Sequence, residues 1–289
     1  MPVKKVGVAG CGLMGSGIAQ VAAMSGCRVV VRETEQRFLD SGFERIERSL
    51  SKFAEKGKIT PEQKGEIRGR LQGTTSISPL ADCDIVVEAI VEDLGAKEAF
   101  FRELGGVCRP GTIFASNTSS FLIGDLGEAS GRPDRCVGLH FFNPVALMKL
   151  VEVVRAPKTS EETFAAARAF AESLGKVPVA AKDSPGFVVN RLLVPYLLEA
   201  VRMVERGDVT AEDVDTAMKL GCGYPMGPIE LLDYVGLDTT LAICEGWHGG
   251  FPGEKLFETP ELLRDKVRKG LLGRKSGRGF YEWEGDRRK

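Results

Sequence analysis

The chain is predicted to be an α/β protein in which a mostly parallel sheet domain is followed by a smaller all-α domain. Three observations carry that prediction. Over the first 180 residues or so, short β-branched runs alternate with longer helical patterns, the order expected of a parallel sheet covered by helices. A glycine-rich hexapeptide, Gly10-Cys11-Gly12-Leu13-Met14-Gly15, stands between the first such run and the first helical pattern. After Lys182-Asp183-Ser184-Pro185-Gly186 the strand signal stops and helical periodicity alone remains.

The elements follow in order. Strands are expected at residues 3–9, 28–32, 84–89, 112–116, 136–142, 150–154 and 177–181, where valine and isoleucine concentrate. Helices are expected between them at 13–25, 35–55, 93–107 and 161–174, with Gly26, Gly57 and Gly175 placed as left-handed caps. The second domain reads as helices over 187–205, 211–220, 229–235 and 261–269. Thr210 before Asp213 has the spacing of a capping box, and Pro228 and Pro260 suit first helical positions. Pro195 should kink the first of these helices, because it lacks an amide donor. The expected division is 1–183 for the sheet domain and 184–289 for the helical one.

Composition excludes several classes of function. With 39 Lys plus Arg against 40 Asp plus Glu, the net charge of -1 offers no global field for nucleic acid or an anionic membrane. No leader-like apolar segment opens the chain, and no run of 18 apolar residues follows, so a soluble, cytoplasmic protein is expected. The seven cysteines are odd in number, scattered and without a C-x-x-C pair. That pattern suits a reducing compartment and argues against a disulfide framework or a zinc site; no metal is expected.

With 35 glycines in 289 residues, chance alone supplies about half a match to G-x-G-x-x-G, so the hexapeptide means little by itself. Its context carries the inference: a strand precedes it, a helix follows it, and Glu33 closes the next strand 21 residues beyond Gly12. This is the fingerprint of a Rossmann-type dinucleotide site. Gly10 would make the tight turn, Gly12 would leave room for the pyrophosphate, and Gly15 would let helix and strand approach; Leu13 and Met14 open the helix facing the phosphates. Glu33 would bind the adenosine ribose hydroxyls and repel a 2′-phosphate, which favours NAD. Arg32 beside it leaves NADP open.

Only two histidines occur, His140 and His248. His140, in Leu139-His140-Phe141-Phe142-Asn143-Pro144, ends a predicted strand, where ligands of open α/β sheets gather. It is the candidate proton acceptor, although a histidine among aromatics is also a common core residue. His248, in Gly246-Trp247-His248-Gly249-Gly250, reads as a surface-loop residue. Glu152 is a single acid between apolar pairs in Leu150-Val151-Glu152-Val153-Val154. It either faces outward or, buried, needs a partner such as the second ring nitrogen of His140. Ser119, in Ser116-Asn117-Thr118-Ser119-Ser120, serves a substrate oxygen or simply a polar turn. Asn190 interrupts an apolar run just past the boundary and is expected to direct its amide into the interdomain cleft.

Together with these motifs, Val87-Glu88-Ala89-Ile90-Val91-Glu92, Asp183-Ser184-Pro185-Gly186-Phe187-Val188-Val189-Asn190-Arg191, Gly223-Tyr224-Pro225-Met226-Gly227-Pro228 and Gly277-Arg278-Gly279-Phe280-Tyr281 make the chain resemble, over nearly its whole length, the 3-hydroxyacyl-CoA dehydrogenase family, especially its stand-alone short-chain 3-hydroxybutyryl-CoA branch. The resemblance implies that His140 and Glu152 form the catalytic pair and that Ser119 and Asn190 hold the reacting region of the substrate. It implies that Glu92, Lys97, Asn117, Ser119, Asn143 and Lys275 line the nicotinamide cofactor site. It further implies a homodimer through the helical domain and a CoA arm near Lys52, Lys56 and Lys58, which otherwise read as a solvated helix end. Arg32 departs from the family's usually uncharged residue there, and no hydratase domain precedes the dehydrogenase as in the fused enzymes. Two alternatives are a β-hydroxyacid dehydrogenase acting on a free acid, whose relatives typically use a lysine base, and a non-catalytic dinucleotide-binding protein like the lens crystallins of this ancestry.

Overall fold

The computed structural model describes residues 3–250 and 253–289, without the side chains of His248 and Gly250. The chain divides into two compact units, Met1–Phe187 and Val188–Lys289.

The first unit is built on an eight-stranded sheet: β1 (Lys5–Ala9), β2 (Arg28–Arg32), β3 (Leu71–Thr74), β4 (Ile85–Glu88), β5 (Ile113–Ser116), β6 (Cys136–Phe141), β7 (Leu150–Arg155) and β8 (Val177–Lys182). Their spatial order is β3-β2-β1-β4-β5-β6-β7-β8. All neighbouring pairs are parallel except β6 and β7, which run antiparallel with His140 opposite Glu152. Six helices cover it: α1 (Leu13–Met24), α2 (Gln36–Glu55), α3 (Pro61–Gly69), α4 (Leu94–Val107), α5 (Ile123–Ser130) and α6 (Glu161–Ser173). The mostly parallel Rossmann-type sheet followed by a helical unit matches the expected class.

Alternation along the strands divides the core between the two sheet faces. Val6, Val8, Val29, Val31, Ile85, Val87, Val137, Leu139, Val151 and Val153 pack in one cluster, with residues of α1, α2, α3 and α6. Val30, Val86, Phe114, Cys136 and Val154 pack in the other, with Phe100, Phe101 and Leu104 of α4 and Ile123 and Leu126 of α5. By the same alternation Glu88, Ser116, His140 and Glu152 occupy the α4/α5 face, at or near the ends of their strands. Four buried polar residues on one otherwise apolar face are costly unless they satisfy one another, and this is where the functional geometry concentrates.

The second unit comprises α7 (Val189–Glu205), α8 (Ala211–Cys222), α9 (Pro228–Val235), α10 (Leu237–Gly250) and α11 (Glu261–Arg268), then a short hairpin, β9 (Trp283–Glu284) and β10 (Arg287–Arg288). Its core gathers Leu197, Leu198, Val201, Ile229, Leu232, Trp247, Phe257 and Trp283. Helix α7 continues through Pro195. Thr210 caps α8 by accepting from the Asp213 amide at 3.1 Å. Pro228 takes the first position of α9, whereas Pro260 stands one residue earlier, at the N-cap of α11.

Several expectations are corrected. Strand β3 and helices α3, α5 and α10 are present although the pattern did not mark them; Leu71-Gln72-Gly73-Thr74 carries one large apolar residue and is a strand by virtue of its pairing with β2. The strand signal does not vanish after residue 183, since the carboxyl-terminal hairpin holds Trp283 in the helical core. The backbone of His248 belongs to helix α10 and not to a loop.

Candidate active site

The strand order reverses between β1 and β4, and loops that diverge at such a switch point leave a crevice at the carboxyl ends of the strands. A cavity of about 680 Å³ lies there, lined by Gly10, Gly12, Leu13 and Met14 after β1, Arg32 and Glu33 after β2, and Ala89 to Val91 after β4. Two glycines are sterically required. Gly10 has φ +90°, and a Cβ on it would stand 2.3 Å from the Ala89 carbonyl oxygen; one on Gly15 would stand 1.8 Å from the Gly10 carbonyl oxygen. Gly12 differs, because a Cβ there meets nothing within 4 Å and would fill the open space over the start of α1. The Cys11 amide donates to Glu33 Oε1 (2.7 Å) and the Thr34 amide to Glu33 Oε2 (3.0 Å), which fixes that carboxylate against the glycine loop. Arg32 is half-buried, with its guanidinium carbon 5.7 Å from the centroid of the Phe100 ring and its Nε lacking a hydrogen-bond partner. An open cradle at a helix amino end, a fixed acid beside it and a cavity of this size fit a dinucleotide.

Farther along the same sheet edge, His140 Nδ1 and Glu152 Oε2 lie 2.6 Å apart on the directly opposed residues of β6 and β7. His140 is 6% exposed and Glu152 0%. Cross-strand opposition places the two side chains on one face without any turn having to hold them. Phe142 and Phe187 pack against the imidazole, with centroids at 4.6 and 5.6 Å. With Nδ1 engaged by the acid, Nε2 is the ring atom left to exchange a proton with a substrate. Ser119 follows β5, the neighbour of β6; its amide donates to Glu92 Oε1 (3.1 Å) and its hydroxyl lies 3.4 Å from that of Ser120.

Lys97 is 1% exposed, its ammonium 2.5 Å from Glu88 and 3.0 Å from Glu92. The Asn117 carboxamide oxygen accepts from the Phe141 amide (2.9 Å), tying the serine-bearing loop to the residue after His140. Asn143 is exposed in the β6–β7 connection. Lys52 and Lys56 are exposed at the end of α2. The second unit carries Asn190, half-buried at the start of α7, and Lys275, whose ammonium meets Asp238 at 2.6 and 2.7 Å. Glu88, Ser116 and Thr118 were not foreseen as site residues. Glu88 is a single acid ending an apolar strand, a signal akin to that of Glu152, a single acid between apolar pairs.

Comparison with known proteins agrees with this geometry. The family model described as 3-hydroxyacyl-CoA dehydrogenase, NAD binding domain, matches residues 5–184, and the corresponding C-terminal domain model matches residues 186–283. A probable 3-hydroxybutyryl-CoA dehydrogenase of Deinococcus radiodurans is 52% identical, over 96% of this chain and 100% of that protein. The mitochondrial hydroxyacyl-coenzyme A dehydrogenase of Rattus norvegicus is 50% identical, over 98% of this chain and 92% of that one. The crystal structure of (S)-3-hydroxybutyryl-CoA dehydrogenase from Ralstonia eutropha superimposes with a TM-score of 0.95 at 40% identity, covering 98% of this chain and 99% of that one.

Proposed function

The chain belongs to the 3-hydroxyacyl-CoA dehydrogenase family, and from that premise we propose that this NAD-dependent enzyme interconverts 3-hydroxybutyryl-CoA and acetoacetyl-CoA, with His140 moving the proton. The observation that carries the proposal is the buried His140–Glu152 pair, 2.6 Å apart at the carboxyl edge of the sheet.

In the oxidative direction His140 Nε2 accepts the proton of the substrate 3-hydroxyl. Glu152 holds the Nδ1 proton, fixes the ring orientation and stabilises the imidazolium that forms. Phe142 and Phe187 exclude water from the imidazole, which strengthens its attraction to the carboxylate. The Ser119 hydroxyl donates to the substrate oxygen, and Asn190 is assigned to the same reacting region. Gly10, Gly12, Leu13, Met14, Gly15 and Glu33 hold the adenosine and pyrophosphate of NAD, and Glu92, Lys97, Asn117, Asn143 and Lys275 are assigned to its nicotinamide half. When bound, NAD supplies the hydride acceptor or donor for C3 of the substrate. In reduction the imidazolium returns its proton to the 3-oxygen.

Lys52 and Lys56 are assigned to the CoA phosphates, since exposed ammonium groups at a helix end can meet them without desolvation cost. A homodimer through the helical unit and a cytoplasmic location complete the proposal. No helix among the described residues is long and apolar enough to cross a membrane.

The test is loss of NADH absorbance on adding acetoacetyl-CoA, free acetoacetate or neither. Turnover of the thioester and not the free acid is expected, with kcat reduced about 10³-fold by His140→Gln. Equal turnover of the free acid would favour a β-hydroxyacid dehydrogenase, and no turnover of either would leave a dinucleotide-binding protein.

A further inference from the structure

A closed ring of polar contacts lies under the loops after β4 and β5. Glu88, fully buried, accepts from Lys97 Nζ (2.5 Å) and the Ile90 amide (2.8 Å) on Oε1, and from the Ser116 hydroxyl (2.6 Å) on Oε2. Ser116 Oγ in turn accepts from the Thr118 amide (3.1 Å). The Thr118 hydroxyl donates to Glu92 Oε1 (2.5 Å), and Glu92 Oε2 returns to Lys97 at 3.0 Å. Ser119 hangs from this ring by its amide, which shares Glu92 Oε1 with Thr118.

We propose that Glu88 and Ser116 are positioning residues: through this ring they lock the wall of the cofactor cavity at residues 90–92 to the loop that presents Ser119 to the substrate. A buried carboxylate with three donors is rigid, because releasing any one of them leaves charge or a polar group unsatisfied in an apolar surround. The ring therefore gives the substrate loop one position relative to the cofactor wall. The same loop reaches the proton-transfer strand through Asn117 Oδ1 and the Phe141 amide at 2.9 Å. Glu88 and Ser116 are themselves assigned to neither substrate nor cofactor, and Lys97 keeps its ion pair with Glu92 when the Ser116 hydroxyl is lost, so that loss should appear in turnover far more than in cofactor affinity.

The inference rests on the proposed function and is tested with a matched pair. Ser116→Thr keeps the hydroxyl, and Ser116→Val has the same shape without it, so any steric cost is common to both. The expected result is a kcat for acetoacetyl-CoA reduction at least tenfold lower in the Val enzyme than in the Thr enzyme. NADH dissociation constants, read by nucleotide fluorescence, should agree within threefold, and melting temperatures within a few degrees. Glu88→Gln, which keeps the volume and removes the charge, should show the same loss of kcat with little change in NADH affinity. Equal kcat in the Thr and Val enzymes, a Glu88→Gln kcat within twofold of the parent, or NADH affinity falling by the same factor as kcat would overturn it. So would failure of both the Val and the Gln chains to fold, since the ring would then serve stability alone. A parent chain inactive on acetoacetyl-CoA would instead sink the proposed function, and this inference with it.

Discussion

At the residue scale, burial decides which side chains can react. Burial drives the thiols of Cys11, Cys83, Cys136 and Cys244 up to about 12 and that of Cys108 up to about 11, so none supplies thiolate near neutrality. Cys222 alone among the cysteines is exposed. Brief treatment of the native protein with iodoacetamide at pH 8 should therefore label Cys222 alone by peptide mass mapping; rapid labelling of a second cysteine would contradict that burial. Glu33 makes a second test, because its carboxylate is pinned beside the open cradle of the glycine loop while Arg32 already lines the cavity. Glu33→Ser should raise the ratio of kcat/KM for NADPH to that for NADH at least tenfold in parallel assays, and an unchanged ratio would show that this acid does not choose the cofactor. His140, Glu152 and Glu33 stand out in the sequence as candidates because each is a polar residue within or at the end of an apolar strand. Ser116 and Thr118 do not, since their roles come from contacts to residues 28 and 26 positions away, which no local pattern encodes.

At the scale of elements, valine-rich alternation made seven of the eight strands of the large sheet legible, whereas helices α3, α5 and α10 were not. Helix α5 is the instructive case: it is only eight residues long, and its cap comes from Asp183, 59 and 60 positions later, which accepts from the Gly124 amide (2.8 Å) and the Ile123 amide (2.9 Å). No reading of residues 120–131 alone could supply that partner. Burial outweighs the two amides and holds the Asp183 carboxyl above its ordinary 3.8, with nearby Asp125 adding to the rise. The native state then binds this proton more tightly than the unfolded chain. Its contribution to stability is greatest in acid, falls as pH rises from about 3.8 through the higher native value, and is level beyond it. Asp183→Asn abolishes that titration and should cost about 1 kcal/mol at neutral pH as a weakened cap. In urea titrations the stability gap between parent and variant should be larger at pH 4 than at pH 7, and a gap that widens with rising pH would contradict the assignment.

At the scale of the molecule, topology does what no single motif can. The reversal of strand order between β1 and β4 opens the cavity that the glycine loop and Glu33 line, and the antiparallel return of β7 sets Glu152 opposite His140. The parallel strands and the two-domain pattern were legible in the sequence; the antiparallel return was not, because alternation along a strand carries no information about its direction. Yet the proposed proton-transfer chemistry depends on that return. The most direct measurement is the ¹⁵N spectrum of the protein labelled at its two histidines, with His248→Asn used to assign His140. Neutral His140 should carry its proton on Nδ1, facing Glu152, with Nε2 bare, and Glu152→Gln should disturb that tautomer while lowering kcat about 10²-fold or more. A neutral His140 protonated on Nε2 in the parent protein, with Nδ1 bare, would contradict the account.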